Sequence, residues 1–218
     1  MGAFSPDGQW WWDGANWVPT AEIPLTIPET EFERSGRLKQ ARRLLLIREW
    51  LAVVGYVGVG SVLGIPLIPF LVIAIMVVQY RAFRAYREWT LELLTSATAQ
   101  LLGPDEPMLA GETMVWAPVT LIPSLQRDFA VAITRAHVLM FWFSHYDSPV
   151  CRVVFAARPQ DVEMRQFYGF LWVKRLAVGY GGRWWVLKGI WGAFEPEQAV
   201  QAWLNSQTER VPVVTSQA

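Results

Sequence analysis

The sequence has a single cysteine, Cys151, among its 218 residues. One cysteine cannot form an internal disulfide, so nothing in the chain requires an oxidising compartment. An excess of charge is also lacking, since acidic and basic side chains number 19 each and the formal net charge is zero. A neutral chain lacks the basic excess that is typical of nucleic-acid-binding proteins, so the sequence predicts that nucleic acid is not a partner.

Recognisable catalytic and metal-binding patterns are missing as well. The two histidines, His137 and His145, have no cysteine or carboxylate at metal-ligand spacing. The chain has no nucleophile elbow of the form Gly-x-Ser-x-Gly, and the glycines within residues 179–182 precede a predicted strand, whereas a phosphate loop precedes a helix. Cys151 lies in an apolar stretch, where cysteine is usually a small buried side chain. We therefore predict a non-enzymatic protein with no catalytic residue, metal or cofactor.

Charged residues are absent from residues 50–78, a run of 29 residues between two arginine-rich flanks. Such a run is long enough to cross the roughly 30 Å hydrocarbon core of a membrane as a helix of about 20 residues. Gly64, Pro66 and Pro69 interrupt it near its middle, because proline removes a helical hydrogen bond and clashes with the preceding turn. The run therefore predicts either a membrane hairpin broken at residues 64–69 or one tilted span.

Basic residues on both sides of this run favour the hairpin. Positive residues are typical of the cytoplasmic side of a membrane, and only a hairpin keeps both flanks there, whereas a single span would follow the stronger N-terminal flank. The N-terminus has neither the basic nor the apolar region of a signal peptide. Arginine outnumbers lysine 16 to 3, which is associated with GC-rich bacterial genomes. The predicted location is the bacterial cytoplasmic (inner) membrane, with the soluble parts facing the cytosol.

Both flanks of the run are predicted to be helical, as a basic juxtamembrane helix over residues 31–49 and a basic amphipathic helix over residues 79–103. In the second helix Arg81, Arg84 and Arg87 recur every three residues. These arginines are candidate contacts for anionic lipid; the alternative is a positive flank that only sets topology. The pair Gly60 and Gly64 permits a homo-oligomer through close helix packing; the alternative is packing within one hairpin.

Tryptophan is abundant in residues 1–20, between two turn signals. The four tryptophans are Trp10, Trp11, Trp12 and Trp17. Aromatic residues favour strands, so the pattern predicts a small β-hairpin or three-strand ribbon that docks on another part of the protein. The tryptophans are candidate partner-binding residues, for example for a proline-rich peptide, and the alternatives are a lipid-interface anchor and a small aromatic core. A proline-containing linker is predicted over residues 21–30.

The N-terminal stretch also has a recognisable motif. Ser5-Pro6-Asp7-Gly8, then Trp11-Trp12-Asp13-Gly14 and Trp17, resemble the short WWDG…W domain of unknown function found in actinobacterial and related membrane proteins. The resemblance covers residues 5–17 and implies no particular chemistry.

Residues 108–207 are predicted to form an independent domain of seven strands and a closing helix. Gly111-Glu112-Thr113 before the first strand, Ala132-Ile133-Thr134-Arg135 leading into His137, and Trp203 in the helix resemble the pleckstrin-homology-like (PH-like) fold of bacterial membrane-associated proteins. The resemblance implies a bent seven-stranded sheet or partial barrel capped by the C-terminal helix; a lipocalin-like or other small barrel fits the same pattern. Inositide-binding members of that family carry several basic residues on the first two strands. Here only Arg127 and Arg135 lie there, so inositide binding is not predicted.

These features together predict an α+β membrane protein with a Trp-rich β element, a helical membrane hairpin or single span, a PH-like domain and a flexible tail over residues 208–218. The predicted function is a membrane-anchored scaffold or partner-recognition protein with an unidentified protein partner. The alternative is an anionic-lipid or small-ligand binding protein that acts at the inner leaflet.

Overall fold

The computed structural model of the chain describes ten strands and two continuous α-helices. The described residues are 3–5, 7–23, 25, 34–37, 39–40, 43–44, 46–47, 50–51, 68–113, 127–144, 150–168, 174–188 and 194–208.

The longest element is α1, a helix of 35 residues that spans Ile68–Leu102. Its sequence contains no glycine, and Pro69 lies in its first turn, where the missing proline N–H has no helical partner to lose. Gly103 follows the helix with a φ of 81°, and its N–H donates to the carbonyl oxygen of Ala99 over 2.9 Å. This left-handed glycine ends the helix because it satisfies a carbonyl of the last turn.

The predicted membrane segment is not borne out, because no helix among the described residues is long and apolar enough to cross a membrane. Of the uncharged run, only residues 68–78 belong to α1. They cover about 16 Å at roughly 1.5 Å per residue, which is about half of a hydrocarbon core. Arg81, further along the helix, is exposed. The prediction of a transmembrane helix, as a hairpin or as a single span, is wrong for this structure.

The residues predicted to break the membrane segment have different outcomes. Gly64 and Pro66 lie outside the described residues, as does Gly60, on which the predicted homo-oligomer depends. Pro69 begins a helix and does not interrupt one. The basic helix predicted over residues 79–103 is the C-terminal part of α1, not a separate element.

The N-terminal sheet consists of three short antiparallel strands, β1 (Ala3–Phe4), β2 (Trp10–Trp12) and β3 (Trp17–Pro19), in that order. A 3-10 turn, Thr20–Glu22, follows it. Further along, most of the described residues between 34 and 51 are helical, and Arg37 forms an ion pair with Glu88 of α1. This ion pair holds the N-terminal helical residues against α1.

The first sheet of the C-terminal part has four antiparallel strands. They are β4 (Ala110–Thr113), β5 (Arg127–Ile133), β6 (Val138–Ser144) and β7 (Val150–Ala157). The strands follow one another in the sheet, and a register shift between Met140 and Phe141 marks a bulge against β7. A 3-10 turn, Pro159–Asp161, comes next.

The second sheet has three antiparallel strands with β9 in the middle. They are β8 (Glu163–Tyr168), β9 (Lys174–Tyr180) and β10 (Arg183–Lys188). Gly181 and Gly182 both have positive φ, as a two-residue type I′ turn requires. The helix α2, Pro196–Thr208, closes the described chain, and its Trp203 donates an indole N–H to the carbonyl oxygen of Pro159 over 2.9 Å.

The predicted seven-stranded bent sheet or partial barrel of the PH-like fold is wrong, because these strands form two sheets that do not close into a barrel. A continuous sheet with its strands in chain order would require β7 to pair with β8. The turn Pro159–Asp161 instead carries the chain from one sheet to the other, and no ladder joins the two strands within the described ranges.

Both faces of the four-stranded sheet are buried. On one face, Leu93 and Leu94 of α1 share a core with Ala130 and Ala132, so small strand residues make room for the helix. The other face shares a core with the three-stranded sheet and α2. That core includes Val131, Met140, Leu176, Leu187 and Ala199. The four-stranded sheet is therefore the middle layer, and the N-terminal sheet adds to the α1 side.

Candidate functional site

Side-chain hydrogen bonds shape the first turn of the N-terminal sheet. The Ser5 hydroxyl donates to Oδ1 of Asp7 over 2.5 Å, and Ser5 Oγ accepts the N–H of Trp10 over 3.0 Å. Gly8 has a φ of 64°, and its N–H donates to the carbonyl oxygen of Ser5 over 2.8 Å. The bonds from Ser5 and from the N–H of Gln9 hold the pKa of Asp7 below its usual value. This turn sets the residue at which β2 begins.

Asp13 organises the second turn in a similar way. Its Oδ1 accepts the N–H of Asn16 over 2.6 Å and that of Ala15 over 2.7 Å, an arrangement that aspartate commonly makes with the following backbone. These two bonds lower the pKa of Asp13, so its carboxylate is ionised at neutral pH. Because the turn is short and fixed, Trp12 pairs directly with Trp17.

The register of the three strands sorts the tryptophans onto two faces. Directly paired residues of antiparallel strands point to the same side of a sheet. Trp11 pairs with Phe4 and with Val18, which defines the inner face. Trp10 pairs with Pro19 and Trp12 with Trp17, which defines the outer face. The four predicted binding residues are therefore divided, and Trp11 lies apart from the other three.

The inner face anchors the sheet to the body of the protein. Phe4 and Trp11 pack against the core beneath α1, and the indole N–H of Trp11 donates to the carbonyl oxygen of Leu101 over 3.4 Å. The Phe4 ring also lies beside His137, with 5.8 Å between ring centroids. Trp11 is thus a structural residue, which accounts for one of the four candidates.

A second anchor lies at Gly8, which touches β7. A Cβ atom at this position would lie 1.8 Å from the carbonyl oxygen of Ala156, so only glycine fits. The hydroxyl of the buried Thr20 donates to the carbonyl oxygen of Gly8 over 2.9 Å, and the hydroxyl of Tyr180 donates to that of Asp7 over 2.7 Å. The N-terminal sheet is thereby held in place both at its inner face and at the turn that contains Gly8.

The outer face presents three indoles and a proline to solvent. We call this set the tryptophan face: Trp10, Trp12, Trp17 and Pro19. Trp10 is 45% exposed and Trp17 is 51% exposed. The rings of Trp12 and Trp17 lie 5.5 Å apart at their centroids and are inclined by 56°. Large apolar side chains gathered on one exposed surface are typical of interaction sites.

The three arginines predicted to contact anionic lipid have different surroundings on α1. Arg81 and Arg84 are exposed, and Arg84 forms an ion pair with Glu88 over 3.4 Å. Arg87 is largely buried: its Nε lies 3.1 Å from Oε1 of Glu112, and its Nη2 lies 3.5 Å from Oε2 of Glu195. The Arg87 charge is already matched inside the protein, so the three do not act as one stripe.

Glu112 is fully buried and is the centre of this cluster. It accepts two hydrogen bonds from Arg87, one from the N–H of Thr113 over 3.1 Å and one from the N–H of Glu195 over 3.0 Å. Burial raises the pKa of Glu112, and the hydrogen bonds and charge of Arg87 offset only part of that rise. The cluster joins α1, β4 and the start of α2.

Sequence reasoning missed Glu106, which organises the turn between β5 and β6. Its Oε1 lies 2.9 Å from Nδ1 of His137, accepts the N–H of Ala136 over 2.9 Å and accepts the hydroxyl of Thr134. Burial raises the pKa of Glu106, but these hydrogen bonds outweigh it and the pKa lies below its usual value. No local pattern links Glu106 to His137, which is 31 positions away.

The described residues contain neither a readily ionised thiol nor a cluster of potential metal ligands. Burial raises the pKa of the Cys151 thiol to about 12, so the reactive thiolate is scarce at neutral pH. No group of three or more potential metal ligands occurs in the described ranges.

The N-terminal third of α1 exposes several apolar side chains, and nothing on the described surface identifies what covers them. They are Phe70, Val72, Ile73, Met76 and Val77.

Comparison of the chain with protein-family models, with curated proteins and with solved structures found no match in any of the three. The resemblances to the WWDG…W domain and to the PH-like family stay predictions from the sequence. Any functional statement therefore has to be argued from the geometry of this chain.

Proposed function

We propose that the protein is a non-enzymatic partner-recognition protein whose tryptophan face binds an extended, proline-containing segment of another protein. The observation that supports this is the division of the N-terminal sheet into an anchored inner face and an exposed outer face of indoles. Each indole offers a large, rigid contact area, and tryptophan is enriched among the residues that dominate binding energy at protein interfaces.

Proline suits this surface for two reasons. A polyproline II helix is already extended before binding, so little conformational entropy is lost when it docks on an aromatic surface. The chain itself also places a proline next to an indole, because Pro19 is the cross-strand partner of Trp10 on the same face. A proline ring from a partner would meet Trp12 and Trp17 in the same way.

The test is a binding titration with the full chain. A fluorescently labelled ten-residue proline peptide is titrated with protein, and the fluorescence anisotropy of the label is measured. A glycine-serine peptide of the same length is the control ligand. We expect the proline peptide alone to bind, with little dependence on salt because the contact is apolar. Trp10→Ala and Trp17→Ala should each weaken binding by about tenfold or more.

Trp184→Ala is the matched control variant, because Trp184 is similarly exposed, at 47%, on the second C-terminal sheet. It should bind the proline peptide as the wild type does, and circular dichroism should show that all variants are folded. Absence of binding by the wild-type protein at millimolar peptide, or equal losses in all three variants, would contradict the proposal.

A further inference from the structure

A second exposed surface lies on the three-stranded sheet, on the face turned away from the core. Strand residues alternate between the two faces of a sheet. The inward set includes Met164, Leu176 and Leu187. The outward set includes Arg165 and Phe167 on β8, Arg175 on β9 and Trp184 on β10, and we call these four residues the arginine face.

The side chain of Trp184 extends over the middle strand, and Arg165 of the far strand lies over its ring. Its partner across the strands is Gly179 of β9, where an added Cβ would lie 2.9 Å from two ring carbons. The indole therefore lies against the backbone of the middle strand. The guanidinium carbon of Arg165, from the far strand β8, lies over this ring at 5.3 Å from its centroid. Stacking on an aromatic ring orients the planar guanidinium.

Arg175 is held in the same manner by a second ring. Its guanidinium carbon lies 5.9 Å from the centroid of Phe167, its partner across the strands. The Nε of Arg175 is buried and has no hydrogen-bond acceptor in the described part of the chain. Arg165 uses Nη2 to bind Oε2 of Glu163 over 2.9 Å, which leaves other N–H groups of its guanidinium to bind an acceptor.

The positions of the two arginines on the sheet define what fits them. Arg165 pairs with Ala177, and Arg175 is two residues from Ala177, so the two arginines are diagonal neighbours about 7–8 Å apart along the backbone. Side chains on the same side of an extended peptide are about 6.6–6.8 Å apart, since each residue rises roughly 3.3–3.4 Å. We propose that the arginine face binds an extended acidic segment of a protein partner, with Asp or Glu at alternate positions, through the guanidinium groups of Arg165 and Arg175.

Charge favours an acidic segment over single-stranded nucleic acid. Bases bind such sheets by stacking on open aromatic rings. Here a guanidinium group lies over each ring, and Trp184 also packs against Gly179, so a base would have to displace a cation before it could stack on these partly exposed rings. Guanidinium groups held in a fixed plane bind carboxylates through paired hydrogen bonds. This site is separate from the tryptophan face, and its test does not depend on that proposal.

The experiment measures anisotropy of a labelled eight-residue peptide that alternates Glu and Ser, titrated with the full chain at low salt. The matching Gln-Ser peptide is the control ligand. We expect the Glu peptide alone to bind, and to bind more weakly as salt rises. Arg165→Gln and Arg175→Gln should each weaken binding by about tenfold. Glu163→Gln should strengthen it by about twofold, because a competing carboxylate is removed.

Arg152→Gln is the matched control variant, since the exposed Arg152 also lies over a ring, that of Trp142, on the other sheet. Unchanged binding by this variant and a gain in Glu163→Gln support the proposal. Three results would overturn it: no binding of the Glu peptide at millimolar concentration, an equal loss in Arg152→Gln, or tighter binding of an eight-residue oligo-dT than of the peptide. The last result would identify the surface as a nucleic-acid site.

Discussion

Arginines on successive turns of α1 show how much a residue depends on its surroundings. Arg81 and Arg84 are exposed, whereas Arg87 lies between Glu112 and Glu195. Burial lowers the pKa of Arg87, but its hydrogen bond to Glu112 and the charges of nearby carboxylates outweigh this effect and raise the pKa. Arg87 is therefore charged at every accessible pH, and its role is to compensate Glu112.

Replacing Arg87 tests this role. In Arg87→Met the buried Glu112 loses its cation, and the free energy of unfolding at pH 7 should fall by about 3 kcal/mol. The exposed pair of Arg84 provides the control, since Arg84→Met should cost less than about 0.5 kcal/mol. Urea unfolding followed by circular dichroism measures both.

The pH dependence of the same variant has a definite sign. Arg87 lowers the pKa of Glu112, so its removal raises that pKa further above the model-compound value of 4.5. An acid whose pKa is raised in the folded state loses stability as pH rises above its unfolded-state pKa. The stability difference between wild type and Arg87→Met should therefore widen as pH rises toward 7, beginning above pH 4.5, where Glu112 of the folded wild type starts to ionise. A difference that is constant over this range would contradict the assigned pairing.

At the scale of elements, local residue patterns predict individual strands and turns. β-branched and aromatic residues after His137 favour a strand, and β6 spans Val138–Ser144. The glycines of residues 179–182 are typical of a tight turn, and Gly181 and Gly182 have positive φ between β9 and β10. Which face of each strand is buried depends on partners far along the chain, and sequence periodicity does not identify those partners. Trp11 differs from Trp10 and Trp12 only because Phe4 and Leu101 lie on its side.

The anchoring of the N-terminal sheet at Gly8 can be tested by one methyl group. Gly8→Ala places a Cβ against the carbonyl oxygen of Ala156, whereas Gly14→Ala meets nothing within 4 Å, although both glycines have positive φ. We expect Gly14→Ala to cost about 1 kcal/mol and Gly8→Ala to cost more, with a red shift in tryptophan emission as Trp11 leaves its contact. Equal costs and unchanged emission would show that Gly8 is not an anchor.

For the whole molecule, a change of composition does not coincide with a break in the backbone. The uncharged run and the basic helix differ in composition, and the change occurs at residue 79. The helix α1 crosses that point without a break, since neither proline nor glycine lies near it. Composition indicates whether a stretch of chain favours apolar or polar surroundings. A helix continues wherever no residue interrupts its backbone hydrogen bonds. The seven strands are likewise predicted as one bent sheet or partial barrel and form two sheets, because alternation marks strands without indicating where one sheet ends.

The shared cores predict a single cooperative unfolding transition for the described structure. The N-terminal strands are too short to be stable alone, and their inner face belongs to the core beneath α1. Urea unfolding followed by tryptophan fluorescence and by far-ultraviolet circular dichroism should therefore give coincident curves. An early transition seen by fluorescence alone would show that the N-terminal sheet is an independent unit. Gly8→Ala is the variant in which such a separation is expected.

The strand β2 consists of three identical residues in a row, which makes its two sides interchangeable in composition. Because the three side chains are identical, the turns at Gly8 and Asp13 and the contacts of Trp11 with the core together set which indole faces inward. One residue inserted between Gly8 and Trp10 would shift the strand by one position, and two tryptophans would then face the core while one faced solvent. The tryptophan face therefore depends on the number of residues between Gly8 and Trp10. An insertion there would disrupt the face although it would remove none of the residues that form it.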